Sequence, residues 1–289
     1  MGFLFHSKST EITSWTETDG ILSNKQTKTA LDNIAQISVS KSGKWLAAYD
    51  STGEDRVFIF PLSGGTLGDV VTSAIPGATS GEGSRGIAFG NTDDSLLAVV
   101  QARDIYILRV AEDGTVTTLD SASTGFSGPN GGCSWNADDT RVAWQDGGGN
   151  GAALASWDGT SLTRLAVGGN GEDRRPVFMP NGRVFTGINN GTDSVRIYDV
   201  SADTWTLLDS SAFAAAGWEW QKPNAEATYA FGGVRSATGT PKLWSIDSDT
   251  LTDVADFTHD VWHGAWISET LFAVTQKEAV PDKIIVYRA

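Results

Sequence analysis

The chain has 289 residues, of which 40% are hydrophobic, and this is enough to bury the core of one large domain. Its 35 acidic residues outnumber its 21 basic residues and give a formal net charge of −14. Because nucleic acids and anionic membranes are bound through cationic side chains, this balance argues against both as partners and favours solubility, cationic partners or metal ions.

A unit of hydrophobic strand, polar turn and hydrophobic strand recurs six times along the chain. The clearest copy is residues 37–47, with the sequence ISVSKSGKWLA. The last large residues before the six turns are Val39, Phe89, Trp135, Phe178, Trp220 and Trp266, at intervals of 50, 46, 43, 42 and 46 residues. A period of about 40–50 residues in strand-like units is typical of a β-propeller with four-stranded blades. The spacing predicts an all-β, six-bladed propeller of antiparallel blades.

The two ends of the chain are predicted to close the ring within one blade. Three C-terminal strands are expected near residues 262–267, 271–276 and 283–288, and the fourth, outer strand is expected from residues 11–29. Such pairing removes the exposed sheet edges that an open ring would leave. Residues 1–10 are then either an N-terminal arm or an extra strand on the closing blade, and residues 1–289 form a single propeller domain.

Within each repeat, apolar residues alternate with the period of a strand. In the first strands, one face carries the large residues of pairs such as Ile37/Val39 and Ile87/Phe89. Third strands are predicted at residues 57–60, 105–108, 154–157, 195–198 and 242–245. Large residues stacked between neighbouring blades are expected to form the core, each contributing about 1.5–3 kcal/mol when fully buried.

These repeats resemble a known family. The turns SKSGK at 40–44, NADDT at 136–140 and MPNGR at 179–183 are similar to the SPDGK turn of WD40-like and TolB-like repeats. The segments 156–158, 197–199 and 244–247 resemble the end of the third strand in that family. The match is degenerate, since the usual Gly-His pair is missing. The resemblance implies a propeller that acts as a non-catalytic binding platform, a scaffold that by itself hosts many functions.

The N-terminus has no basic start followed by an apolar core, and no stretch approaches the length of a transmembrane helix. We therefore expect cytoplasmic synthesis without a signal peptide, and a location in a virion is an option. The single cysteine, Cys133, excludes internal disulfides. Because Cys133 occupies a repeat core position, we expect a buried, unreactive thiol.

Three histidines are the first candidates for catalysis or metal binding: His6, His259 and His263. On a helix, the four-residue spacing of the last two would suit zinc. In a loop that leads into a strand, those positions lie about 13 Å apart, which is too far to share a metal. No Gly-x-Ser-x-Gly elbow, Walker loop or dinucleotide fingerprint is present. No catalytic residue is assigned.

Calcium is the one cofactor that the sequence gives a reason to consider, because six-bladed lactonases and phytases bind calcium at the central channel. The loops at residues 146–150, 170–173 and 189–193 offer oxygen ligands, but none follows the Asp-x-Asp-x-Asp-Gly order. Asp, Asn and Gly are also ordinary turn residues. We predict no cofactor, with calcium as the alternative and its ligands unknown.

Two further patterns were considered for ligand binding. Arg85, Arg174 and Arg175 precede first strands and would bind carboxylates if they faced the channel mouth, although pairing with Glu82, Glu172 or Asp173 is the expected role. Residues 42–45 and 201–205 only partly match the sialidase Ser-x-Asp-x-Gly-x-x-Trp box. Trp15, Trp205 and Trp262 lie outside the core pattern and would stack on sugars or anchor a partner if they are not packed between strands.

These observations predict a non-enzymatic protein-interaction or structural module that binds other proteins within a larger assembly. A bacteriophage tail or capsid accessory protein is the favoured setting, because the chain has few His and Cys residues and a Gly/Ser/Thr/Asp-rich composition. The alternatives are a calcium-dependent hydrolase or lactonase with its site in the central channel, and a glycan-binding lectin with exposed Trp at matching positions in several blades.

Overall fold

Seven antiparallel sheets follow one another along the chain in a computed structural model. The structure describes residues 2–8, 10–19, 21–29, 34–50, 56–75, 86–101, 104–123, 131–146, 151–168, 173–188, 193–212, 218–234, 242–257, 261–266, 268–276 and 283–289. Each sheet is one blade of a β-propeller, and strands within a blade are sequential neighbours in space except in blade 2, where β8 pairs with β6.

The terminal blades each have three strands, and blade 2 has an additional short strand. Blade 1 contains β1 (Gly2–Lys8), β2 (Glu11–Thr18) and β3 (Ile21–Lys28). Blade 2 contains β4 (Ile34–Val39), β5 (Trp45–Asp50), β6 (Arg56–Ser63), β7 (Thr66–Leu67) and β8 (Val71–Ala74), of which β7 and β8 both pair with β6. Blade 7 contains β25 (Val261–Trp266), β26 (Leu271–Gln276) and β27 (Lys283–Arg288).

Blades 3 to 6 have four strands each. Blade 3 contains β9 (Gly86–Phe89), β10 (Leu96–Gln101), β11 (Asp104–Val110) and β12 (Val116–Ser123). Blade 4 contains β13 (Gly131–Trp135), β14 (Arg141–Asp146), β15 (Gly151–Trp157) and β16 (Leu162–Gly168). Blade 5 contains β17 (Asp173–Phe178), β18 (Val184–Ile188), β19 (Asp193–Asp199) and β20 (Thr206–Ala212). Blade 6 contains β21 (Trp218–Pro223), β22 (Tyr229–Val234), β23 (Lys242–Asp247) and β24 (Thr250–Asp256). The predicted four-stranded antiparallel repeat is confirmed.

The predicted blade number is wrong, because the structure has seven blades and not six. Residues 11–28 do not supply an outer strand to the last blade. They form the hairpin β2–β3, whose turn includes Asp19 at a positive φ of 53°, and β1 pairs with β2. A blade of three strands needs fewer residues than a blade of four, so the 28 N-terminal residues are enough to form blade 1. Residues 2–8, for which either an arm or a strand was expected, form β1.

Blade 1 corresponds to the second, third and fourth strands of the other blades. Its last strand, β3, leads directly into β4, the inner strand of blade 2, as the fourth strands of blades 2 to 6 lead into the next inner strand. The β2–β3 pair has a bulge between Ser14 and Thr16, as third–fourth strand pairs in blades 3 to 6 do, whereas the β1–β2 pair is regular like the second–third pairs. The residues used to count the repeats all lie in inner strands. Because β1–β3 do not include an inner strand, this blade was not counted from the sequence.

The core lies between blades, as the alternation predicted, but Val39, which was expected on the core face of its strand, is 37% exposed. Six clusters of buried residues fill the interfaces of blades 1/2, 2/3, 3/4, 4/5, 5/6 and 6/7. Trp135 shows how they are joined: it is buried, and its indole nitrogen donates to the Ala88 carbonyl of the preceding blade at 3.2 Å. Apolar burial between blades therefore holds the ring, with hydrogen bonds fixing the register.

Candidate functional site

The propeller has two faces of different character. We call one the turn face: it consists of the connections between first and second strands and between third and fourth strands. Its described members are residues 19, 40–44, 64–70, 90–95, 111–115, 136–140, 158–161, 179–183, 200–205, 224–228, 248–249 and 268–270. The opposite loop face holds the remaining connections, most of which lie outside the described residues.

Three connections of the turn face share an Asp-x-Thr sequence with one geometry. Asp113, Asp138 and Asp158 each accept hydrogen bonds from the backbone N–H and the hydroxyl of the threonine two residues later. The hydroxyl distances are 2.7, 2.6 and 2.8 Å. A side chain that bonds its own backbone in this way shapes a tight turn. The same bonds favour the charged form and lower the pKa of all three carboxyl groups, chiefly through Thr115, Thr140 and the Ser161 and Thr160 amides.

Basic side chains connect each of three blades to the next across the turn face. Lys44 Nζ lies 2.6 Å from Glu112 in blade 3, Arg141 Nη2 lies 2.7 Å from Asp203 in blade 5, and Arg183 Nε lies 3.1 Å from Asp249 in blade 6. In every case the acceptor belongs to, or lies beside, the third–fourth connection of the following blade. Such partly exposed pairs contribute at most about 1 kcal/mol each. Their main effect is that these three basic side chains are already paired with acidic side chains of the protein.

The result is a strongly negative surface. The turn-face connections carry exposed or half-buried acidic side chains in every blade: Asp19, Asp69, Asp93, Asp94, Glu112, Asp113, Asp138, Asp158, Asp203, Glu226, Asp249 and Glu269. The basic residues of the same connections are Lys41, Lys44 and Arg183, and the last two are paired. Much of the net charge of −14 is therefore displayed on one rigid face.

Buried charge characterises the other end of the blades. In blade 5, Asp173 accepts from the Thr186 hydroxyl at 2.9 Å and from the Tyr198 hydroxyl at 2.8 Å, and Arg196 Nη1 lies 3.4 Å away. Asp173 is 1% exposed and Arg196 is 7% exposed. Burial, together with the Asp173 charge, raises the pKa of Tyr198, so the phenol stays a donor. Blade 2 has a simpler counterpart, in which buried Asp50 pairs with Arg56 at 3.2 Å.

The entrance to the inner strand of blade 5 is a second feature of the loop face. Arg175 has a positive φ of 47° and lies within a register shift between Arg174 and Val177. Its backbone packs on Gly132, where an added Cβ would lie 2.8 Å from the Arg175 Cα. A bulge redirects a side chain at a sheet edge. The start of β17 is therefore an irregular strand end, and the Arg175 backbone packs against blade 4 there.

The structure tests only some of the predicted site residues. Several predicted site residues lie outside the described residues, namely His259, Arg85, Glu82, Glu172 and residues 147–150 and 189–192. The described part of the chain also leaves out four side chains, those of His6, His263, Arg174 and Trp262. Cys133 is buried as predicted, and burial raises the pKa of its thiol. Asp173 pairs with Arg196, a partner that sequence reasoning did not consider. Among the described residues, no group of three or more His, Cys, Asp or Glu side chains forms a metal site.

The two described tryptophan candidates differ. Trp205 packs its ring on Gly168 of blade 4 and makes an edge contact of 5.4 Å with Tyr198, so it is a packing residue between blades. Trp15 is half-buried and lines a shallow groove of about 340 Å³ with the 64–66 turn of blade 2. These positions are not equivalent in their blades. Within the described residues, no helix is long and apolar enough to span a bilayer.

Comparison with known proteins supports the fold. No family model and no curated protein matches the sequence. The chain is similar in structure to one in the crystal structure of the Mitotic Checkpoint Complex, with a TM-score of 0.75, 12% identity and coverage of 99% of this chain and 86% of that chain. It is also similar to the C-terminal WD40 domain of Sif2, with a TM-score of 0.65, 15% identity and coverage of 96% and 76%. It is similar as well to the periplasmic gluconolactonase PpgL of Pseudomonas aeruginosa, with a TM-score of 0.72, 11% identity and coverage of 100% of this chain and 96% of that chain. The predicted β-propeller is confirmed, and function does not follow from likeness at these identities.

Proposed function

We propose that this protein is a non-enzymatic interaction module that presents its turn face to a basic segment of a partner protein. One observation carries the proposal: hydrogen bonds from the threonine two residues later fix the carboxylates of the Asp-x-Thr connections in place on a ring of packed blades. Fixed charges lose little freedom on binding, and a face of one sign steers an oppositely charged partner. The likeness to WD40 propellers supports the proposal. None of the comparisons supports a phage tail or capsid setting, which stays a prediction, as does cytoplasmic synthesis without a signal peptide.

Neutralising the turn face should weaken binding of a basic probe. In the triple variant Asp113→Asn, Asp138→Asn and Asp158→Asn, each amide oxygen still closes its turn. We expect the Kd for a fluorescein-labelled deca-lysine peptide, measured by anisotropy at physiological salt, to rise about tenfold, equivalent to 1.4 kcal/mol. Long-range charge effects are screened beyond about 8 Å under these conditions, so local contacts dominate.

The matched control removes the same charge from the loop face. Glu11, Asp104 and Asp256 lie at loop-face ends of strands, and Glu11→Gln, Asp104→Asn and Asp256→Asn change the net charge equally. The proposal requires this control to bind the probe nearly as well as the unchanged protein. Equal weakening in both triple variants would show that overall charge, and not the turn face, attracts the peptide.

A lactonase with a loop-face site is the second candidate, favoured by the likeness to a gluconolactonase and by the position of Arg175. It predicts hydrolysis of gluconolactone above the uncatalysed rate, with a loss of at least about tenfold in Arg175→Ala if the guanidinium binds substrate oxygen. Repeating the assay with calcium and with EDTA tests the predicted calcium dependence. Rates equal to those of buffer in all conditions would remove this candidate.

A further inference from the structure

The third–fourth connection of blade 2 is longer than those of blades 3 to 6. Ile59 pairs with Val71, and residues 60–70 between them form a small hairpin that includes β7. The corresponding connections of blades 3 to 6 contain no strand and are residues 111–115, 158–161, 200–205 and 248–249. An insertion in a single repeat often forms part of a binding surface.

This hairpin is fixed against blade 1 by three different contacts. Leu67 is 3% exposed and belongs to the buried cluster between blades 1 and 2. Lys28 Nζ lies 3.3 Å from Asp69. The Phe3 ring lies against Gly65, where an added Cβ would be 2.0 Å from Phe3 Cδ1. The hairpin and blade 1 therefore form two walls whose relative position is set before any ligand arrives.

The tip of the hairpin presents backbone without side chains. Gly64 and Gly65 connect the paired residues Ser63 and Thr66 and have φ values of 54° and 78°. Two consecutive residues with positive φ make the tight hairpin turn for which glycine is preferred. A Cβ added at Gly64 would meet no described atom within 4 Å. Polar groups of the turn are therefore accessible to a ligand at close range.

The facing wall, the outer strand β3 of blade 1, is polar at its bulge. The equivalent bulges of blades 3 to 6 are apolar and contain Leu119, Leu165–Ala166, Leu208 and Val254. In blade 1 the residues opposite Trp15 are Asn24 and Lys25, and Asn24 has a φ of 50°. Asparagine adopts this conformation more readily than most residues. The bulge thus places an exposed amide side chain beside that of Gln26.

Between the two walls lies the groove of about 340 Å³ that Trp15 lines. This volume is near the lower end of the range of about 300–1,000 Å³ for ligand sites. Its described lining contains the Gly64–Gly65 tip, three hydroxyl side chains, two amide side chains and an indole: Ser14, Thr16, Thr66, Asn24, Gln26 and Trp15. All eight of these residues are uncharged, in a protein with a net charge of −14.

We propose that this groove binds a neutral saccharide of one or two rings. Sugar hydroxyls both donate and accept hydrogen bonds, and amide and hydroxyl side chains together offer both functions. The indole of Trp15 adds apolar surface of the kind that a sugar ring presents on its C–H face. An ionic ligand would meet no opposite charge among the described lining residues. Because the groove is shallow, we expect weak binding, with a Kd of about 1–10 mM.

NMR titration of the whole protein with defined sugars tests the proposal. The probes are glucose, galactose, mannose, N-acetylglucosamine, maltose, lactose and chitobiose, each at up to about 50 mM. We expect at least one of them to shift the backbone amides of Gly64 and Gly65 and the side-chain amides of Asn24 and Gln26, in a saturable manner. The charged sugars glucosamine and glucuronate should not do so. Saturable shifts with the charged sugars alone, or with none of the probes, would overturn the proposal.

A double variant of the polar wall identifies the site. Asn24→Gly with Gln26→Ala removes both amides, and glycine accepts the positive φ of position 24. Both residues are exposed, so Tm should change by less than about 2 °C, while the Kd read from the Gly64 and Gly65 amides should rise at least about tenfold.

The matched control is Ser23→Ala with Lys25→Ala, two exposed residues of β3 outside the described lining of the groove. It should bind the sugar as the unchanged protein does, and equal affinities of the two double variants would overturn the assignment. The triple Asp→Asn variant of the turn face alters neither wall and should also keep sugar binding. Weakening in that variant would place the sugar on the acidic turns and overturn the groove as its site, whereas loss of peptide binding alone leaves it intact.

Discussion

Replacing Asp173 by alanine is expected to lower the free energy of unfolding by about 3–5 kcal/mol. The reason is that Arg196 is 7% exposed and would keep a buried charge without its carboxylate, while the Thr186 and Tyr198 hydroxyls would lose their acceptor. Breaking one partner of a buried ion pair costs far more than the pair contributes. Urea unfolding of the purified variant, followed by tryptophan fluorescence, measures the change.

The double variant Asp173→Ala with Arg196→Met is the control. It removes both charges and keeps most of the volume of the arginine stem, so we expect it to recover at least half of the loss. Recovery identifies the uncompensated charge as the cause. A double variant as unstable as the single one would show that the site depends on its hydrogen-bond geometry and not on charge.

Replacing Asp139 by alanine is expected to cost about 2–4 kcal/mol, the second largest effect. Asp139 is buried and accepts hydrogen bonds from three consecutive amides of the preceding blade, at 2.5 Å from Asn91, 2.7 Å from Thr92 and 3.1 Å from Asp93. The Thr92 hydroxyl donates as well, at 2.6 Å. Without the carboxylate these donors lose their partner. Its backbone also has a φ of 59°, which alanine tolerates less well than aspartate.

Asp138→Ala is the matched control, since Asp138 is the preceding residue of the same turn and its carboxylate accepts hydrogen bonds from Thr140 within that turn. We expect a loss of about 1 kcal/mol or less, because the site is exposed and water replaces the carboxylate. The comparison by urea unfolding separates the link between blades from the turn itself. Similar losses for the two variants would contradict the role of Asp139 as an inter-blade connection.

Sequence reasoning located most strands and failed at the ends of the ring. The third strands expected at residues 105–108 and 195–198 lie within β11 and β19, and the C-terminal strands agree with β25–β27 within one residue. Alternating apolar residues predict such strands because a strand buried between blades must repeat every second residue. The blade count failed because it relied on inner-strand markers, and the described residues of blade 1 include no inner strand.

The candidate sites were only partly visible in the sequence. The Asp-x-Thr pattern at Asp113, Asp138 and Asp158 is a local signal that would have indicated shaped, charged turns. Asp139 is also an aspartate in one of these turns, but its role differs because its carboxylate accepts a hydrogen bond from Asn91 of the preceding blade. Asp173 and Arg196 are 23 residues apart, and nothing in their spacing shows that they meet in the interior.

The sequence by itself determined the propeller architecture, the positions of most strands and the acidic character of the protein, because strand periodicity, turn chemistry and charge are local properties of the chain. Only the tertiary structure decided the number of blades, the concentration of acidic turns on one face and the inter-blade connections. These features depend on which blades become neighbours. That choice is made by pairing and burial between residues 40 or more positions apart.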